Sequence, residues 1–220
     1  NKIGMWAFQD CTSLTSVTIT DNITYICNGA FSGCTSLSSI TIPNSVTTID
    51  SRAFIDCYFE HDKFINNSSV SGYPWGATIC DVIQEDGLCI SGTTAVKCKL
   101  NATSVTIGNG VTSIGNKAFS GCTNLTSIVI PSSVTSIASD AFSGCYFQRD
   151  KFINNSSCTN SKNWGATICD VIQEDGLCIN GTTAVNCRSN AINVTIPDSV
   201  TSIDTEAFYN CSSLTSVTIP

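Results

Sequence analysis

Fourteen cysteines, a single histidine and two adjacent acidic pairs are the residues whose chemistry invites a site in this 220-residue chain. Zinc needs closely paired ligands such as C-x-x-C, and no two cysteines stand that near each other. His61 has no second histidine to join it, and a near-duplicate segment later in the chain carries Arg149 in the same place, so His61 reads as a solvated side chain. Glu85-Asp86 and Glu174-Asp175 each precede a glycine, which suits a turn better than acid–base work across a cleft; a calcium ligand is the alternative. Hydroxyls are plentiful, but none has a neighbouring histidine to activate it, and no glycine-rich loop opens a helix to cradle phosphate. The expectation is therefore no catalytic residue, no metal, no cofactor and no enzyme.

The elements that must position these residues announce themselves as a repeat. Ala-Phe recurs with cysteine three residues after each phenylalanine, at Phe8/Cys11, Phe31/Cys34, Phe54/Cys57, Phe119/Cys122, Phe142/Cys145 and Phe208/Cys211, with adjacent copies 23 residues apart. A period of this length is the signature of a stacked-coil architecture. One coil reads A-F-x-x-C-x-x-L-x-x-[VI]-x-[IV]-P-x-x-V-x-x-I. Leu37, Ile40 and Ile42 end in a β-branched alternation that predicts a short strand closed by Pro43, as Pro131 and Pro197 close its counterparts. A second extended piece, Val46 to Ile49 and its copies, precedes the Ala-Phe turn, where a short helical or 3-10 turn brings Phe and Cys inward.

A single coil cannot bury its own apolar side, so coils must stack and align Phe, Cys, Leu and Val/Ile in columns. The predicted fold is a mainly β solenoid with right-handed coils of about 23 residues, a parallel sheet on one side and short helical or 3-10 turns. It runs continuously over 1–220 with irregular duplicated segments at 58–102 and 146–191. Those segments share F-I-N-N-S-S, W-G-A-T-I-C and D-G-L-C-I, and Ser91-Gly92 or Asn180-Gly181 within them predicts a tight hairpin. Six cysteines hold equivalent places in successive coils. Stacking sets their Cβ atoms about 4.8 Å apart, beyond the roughly 3.5–4.5 Å of a disulfide, so a column of buried thiols is expected. Cys80, Cys89, Cys98, Cys169, Cys178 and Cys187 lie in the irregular segments, where bridges and thiols both stay open.

Ten basic against 17 acidic residues, net charge -7, with no basic cluster, exclude nucleic acid as a partner. No apolar run reaches the roughly 20 residues that span a bilayer, so this segment is not expected to insert in a membrane. It opens and closes within a repeat, as a segment of a longer protein would.

The motif A-F-x-x-C-x-x-L-x-x-V-x-I-P-x-x-V-T-x-I resembles the BspA-like leucine-rich repeat family over nearly the whole chain. The resemblance implies an extracellular or cell-surface adhesin or interaction module, a monomer, that binds matrix proteins of a host or neighbouring cells. Outward strand positions supply the candidate surface: Ser16, Thr18, Ser39, Thr41, Thr106, Ser127, Thr195, Ser216 and Thr218, a flat polar face. Tyr73, Trp75 and Trp164 read as core or as contact anchors, the latter opening a carbohydrate-binding alternative. A spacer rod without its own ligand is a further alternative.

Overall fold

In the computed structural model, which describes residues 1–159 and 163–220, the chain divides into two compact units, Asn1–Leu100 and Asn101–Pro220. Each unit contains regular coils and one duplicated segment.

In the first unit the strands of the regular coils stack in two parallel sheets, one of which also takes in a strand of the duplicated segment. Ser16–Thr18, Ser39–Ile42 and Phe64–Asn66 form one, with Val17 opposite Ile40 and Ile40 opposite Phe64. Lys2–Ile3, Tyr25–Ile26 and Thr48–Ile49 form the other. The alternation within Ser39–Ile42 turns Ile40 and Ile42 inward, 2% and 0% exposed, and leaves Thr41 outside. The second unit repeats the scheme with Ser104–Thr106, Ser127–Ile130 and Phe152–Asn154. A further pair, Asn193–Thr195 and Ser216–Thr218, follows the duplicated segment.

The third side of each coil carries the Ala-Phe turns. Phe8, Phe31 and Phe54 stack with ring centroids 5.2 and 5.3 Å apart and planes within 3°. Phe119 and Phe142 stack at 4.8 Å. Phe31, Phe54, Phe119 and Phe142 are fully buried, and the phenylalanine N–H ties one coil to the next: Phe8 to the carbonyl of Ala30, Phe31 to Ala53, Phe119 to Ala141.

These turns correct one expectation. They are hydrogen-bonded turns, not helical or 3-10 segments. The residue immediately before each column cysteine, Asp10, Gly33, Asp56, Gly121, Gly144 and Asn210, has φ between 54° and 83°. A left-handed residue cannot continue a right-handed helix, and Gly, Asp and Asn are the types that occupy that region at least cost. The 3-10 turns lie instead in the duplicated segments, at His61–Lys63, Arg149–Lys151 and Asn163–Gly165.

The column cysteines are thiols, as expected; Cys34, Cys57, Cys122 and Cys145 are buried, whereas Cys11 is exposed and Cys211 half-buried, and three of the buried ones have a visible task. Cys34 Sγ donates to the carbonyl of Phe8 at 3.1 Å, Cys57 to Phe31 at 3.0 Å and Cys145 to Phe119 at 3.1 Å. A small, weakly polar side chain thus fills the core and satisfies a carbonyl of the preceding coil. Serine and threonine do the same at the rim: Thr47 Oγ1 bonds the carbonyl of Thr24, Thr126 that of Thr103, Ser45 that of Ile23 and Ser133 that of Val111, 22 or 23 residues back.

Within the duplicated segments the predicted hairpins are present. Leu88–Ser91 pairs antiparallel with Thr94–Cys98 around Gly92 (φ 57°), and Leu177–Asn180 with Thr183–Cys187 around Gly181 (φ 57°). Val82–Ile83 and Val171–Ile172 add an outer antiparallel strand. The open question of the cysteines is answered by two bridges, Cys80–Cys89 and Cys169–Cys178, each with Cα atoms 5.6 Å apart. Cys98 and Cys187 remain buried thiols.

Candidate functional site

The outward strand positions are brought into ladders by the parallel registers. Ser16 lies opposite Ser39 and Thr18 opposite Thr41, while Thr41 lies opposite Ile65. In the second unit Ser104 lies opposite Ser127, Thr106 opposite Val129 and Val129 opposite Ile153. The last sheet sets Thr195 opposite Thr218 and Asn193 opposite Ser216. Ser127 bonds Ser104 at 2.8 Å and Ser216 bonds Asn193 Oδ1 at 2.7 Å, so part of the hydroxyl chemistry is spent within the face.

The face is not uniformly polar, which corrects the expectation of a flat hydroxyl sheet. In the first unit the row of Thr18 and Thr41 runs to an exposed isoleucine, Ile65 at 45%, and in the second the row of Thr106 and Val129 runs to Ile153 at 44%. Both come from F-I-N, which places Phe64 or Phe152 where regular coils have the inward Ile40 or Ile128. The outward residue is then isoleucine. Aligning F-I-N with I-T-I would have exposed this in the sequence.

Thr18, Ser39 and Thr41 line a groove of about 670 Å³ in the first unit, rimmed by Asp21, Asn44 and Asn67. A second groove, about 520 Å³, lies within the other unit and joins Ser127 to the duplicated segment through Tyr146, Lys151, Gln173, Glu174 and Arg188. The Arg188 guanidinium stands 6.0 Å from the centroid of the Tyr146 ring. Burial first, then the thiols of Cys211 and Cys187, push the Tyr146 hydroxyl up, against the opposing guanidinium. Two buried atoms of groove residues have no hydrogen-bond partner, Gln173 Oε1 and Arg188 Nε. Such an unpaired group costs about 1–3 kcal/mol. Sequence reasoning passed over both residues because neither belongs to a chemical motif.

Trp75 and Trp164 leave the candidate list. They are 3% and 4% exposed, and their carbonyls accept the N–H of Phe54 and Phe142, standing where the next coil's alanine stands elsewhere. Phe64 and Phe152 pack against their rings at 6.2 and 6.4 Å. A buried indole offers no stacking platform to a sugar, so the carbohydrate alternative that rested on these two residues falls. Tyr73 is 46% exposed.

The remaining chemistry-bearing residues are structural. Asp86 and Asp175 each accept the N–H two residues on, Leu88 and Leu177, which is turn geometry. Asp175 also accepts the N–H of Thr195 at 2.9 Å. His61 is exposed and lies 3.3 Å from Asp81, in the seat where Arg149 bonds Asp170 at 2.8 Å. Among the described residues no three His, Cys, Asp or Glu side chains converge as a metal site, and no helix is long and apolar enough to cross a membrane.

Stacked coils, a strand face with matched registers and shallow grooves define a repeat module of the protein-interaction kind. The chain belongs to the BspA type leucine rich repeat family, whose model matches six copies across residues 1–73, 92–174 and 179–220. No curated protein matches it significantly. Among solved structures it is similar to a leucine rich cell surface protein from Faecalibacterium prausnitzii, at 26% identity over 97% of this chain and 62% of that one, TM-score 0.36. It is also similar to leucine-rich repeat proteins from Eubacterium ventriosum (16% identity, 94% and 73% coverage, TM-score 0.32) and Bacteroides ovatus (20%, 100% and 70%, TM-score 0.25). The chain thus spans less than two thirds of the Faecalibacterium protein's length.

Proposed function

We propose that this chain is a non-enzymatic, monomeric cell-surface module that adheres to host matrix proteins or neighbouring cells through its strand faces. The observation that carries the reading is the composition of those faces. Ladders of short hydroxyl side chains offer hydrogen bonds at low entropic cost, and Ile65 and Ile153 add an exposed apolar anchor to the face of each unit. Polar contacts around an apolar centre are what a protein partner's surface can complement. An extracellular setting is supported by family membership and by the two disulfides, which persist in oxidising compartments.

The test is retention of the purified chain on a panel of immobilised matrix proteins, mucins and whole cells. Wild type is expected to bind saturably, and Ile65→Asp together with Ile153→Asp to lower binding by at least about tenfold, since one buried anchor is worth roughly 1–2 kcal/mol or more. Failure of the wild type across the panel would favour the spacer reading instead.

A further inference from the structure

The second groove goes beyond the strand-face reading and stands or falls independently of it. We propose that it binds a small molecule that bears both a carboxylate and a hydrogen-bond donor.

Two cations, Lys151 and Arg188, and one carboxylate, Glu174, line it, and Lys151 is also paired with Asp150 at 3.2 Å, so among the described residues Arg188 is the lining cation that no ion pair engages. Its volume of about 520 Å³ falls in the range of small-molecule sites, roughly 300–1,000 Å³. The unpartnered atoms define polarity: Arg188 Nε is a donor awaiting an acceptor, and Gln173 Oε1 an acceptor awaiting a donor. An arginine fork with an accessory ammonium matches a carboxylate. The amide oxygen, backed by Glu174, matches a hydroxyl or ammonium of the same molecule. The Tyr146 ring and Ile172 form the apolar wall.

The internal duplication supplies a contrast. In the first unit the equivalent residues are Tyr58, Glu60, Lys63, Gln84, Glu85 and Lys99. Gln84 Oε1 is again buried without a partner, and Lys99 again lies 6.0 Å from a tyrosine ring, that of Tyr58. Here, however, Glu60 replaces Gln148 and accepts the N–H of Ile83 at 3.3 Å, and lysine replaces the arginine fork. An added negative charge and the lost fork disfavour a carboxylate there, so the site belongs to the second unit.

Calorimetric titration of the full chain tests this with methyl glucuronide and L-alanine as probes, and methyl glucoside and acetate as controls. Saturable one-to-one binding is expected for at least one of the two probes, with neither control matching it. Preference for the glucuronide assigns an acidic sugar, and preference for alanine an amino acid. Arg188→Gln is expected to weaken binding at least about tenfold, the effect of losing a hydrogen bond to a charged group. Gln148→Glu, which copies the first unit, is expected to weaken it as well, and it carries the decision if Arg188→Gln fails to give a native circular dichroism spectrum. No saturable binding of either probe, acetate binding as tightly as both, or affinity unchanged in the folded variants would overturn the proposal.

Discussion

The column cysteines behave as apolar residues with one weak donor, and that role has a consequence in alkali. Burial first, then the neighbouring thiols, push Cys57 and Cys145 up to about 12 from an ordinary 9.0, and Cys34 up to about 11. Each thiol therefore keeps its proton in the folded chain at pH values where the unfolded chain has released it. By linkage, their contribution to stability is fully present below about pH 9 and is lost as pH rises toward about 12. Urea midpoints measured from pH 8 to 11 are expected to fall steadily above pH 9, and Cys57→Ala with Cys145→Ala to flatten that decline while lowering the midpoint at pH 8. An unchanged alkaline slope in the double variant would contradict the assignment. The cysteine column itself was legible from spacing alone, because six residues at one place in the coil leave little other geometry. The S–H···O bonds to Phe8, Phe31 and Phe119 were not, since they depend on which backbone carbonyl faces the thiol.

Among the elements, the strands of the regular coils were read correctly and the Ala-Phe turns were not. Alternating Ile40 and Ile42 beside a closing Pro43 speak directly of a strand. The Ala-Phe turn gave a compact apolar pair that suited a 3-10 helix, and the left-handed residue before each cysteine was hidden by its mixed identity as Asp, Gly or Asn. Gly144 isolates that requirement, since a Cβ there would meet nothing within 4 Å. Gly144→Val is expected to cost about 1–2 kcal/mol through backbone conformation alone, and Gly144→Asn clearly less. Equal losses by thermal denaturation would show that crowding, not φ, sets the preference. The candidate face was legible in its threonines and serines. Its isoleucine ends were missed because Ile65 and Ile153 sit in segments read as irregular, although F-I-N continues the strand register.

For the molecule as a whole, the duplicated segments decide what was hidden. Cys80 and Cys89, nine residues apart, are joined because Thr78–Cys80 and the hairpin strand Leu88–Ser91 return to one another, a closure that no periodic pattern records. Ten thiols are therefore expected on titration under denaturing, non-reducing conditions, not fourteen. Each bridge closes a loop of about ten residues and constrains the unfolded chain by about 2–3 kcal/mol. Replacing Cys169 and Cys178 by alanine is expected to lower the free energy of unfolding, measured by urea denaturation, by that amount, and no change would show that the bridge is dispensable.

Hydroxyl donors such as those of Thr47, Thr126, Ser45 and Ser133 find their acceptors 22 or 23 residues earlier, and the N–H groups of Phe8, Phe31 and Phe119 find theirs 22 residues later, in the neighbouring coil. Genetic insertions or losses are therefore graded by length. One that spans a full turn returns every donor to an equivalent carbonyl, while one of ten residues strands a whole row at once. Reach in such a lineage changes in quanta, and recombination between the two near-identical segments is a ready way to add or remove several turns together.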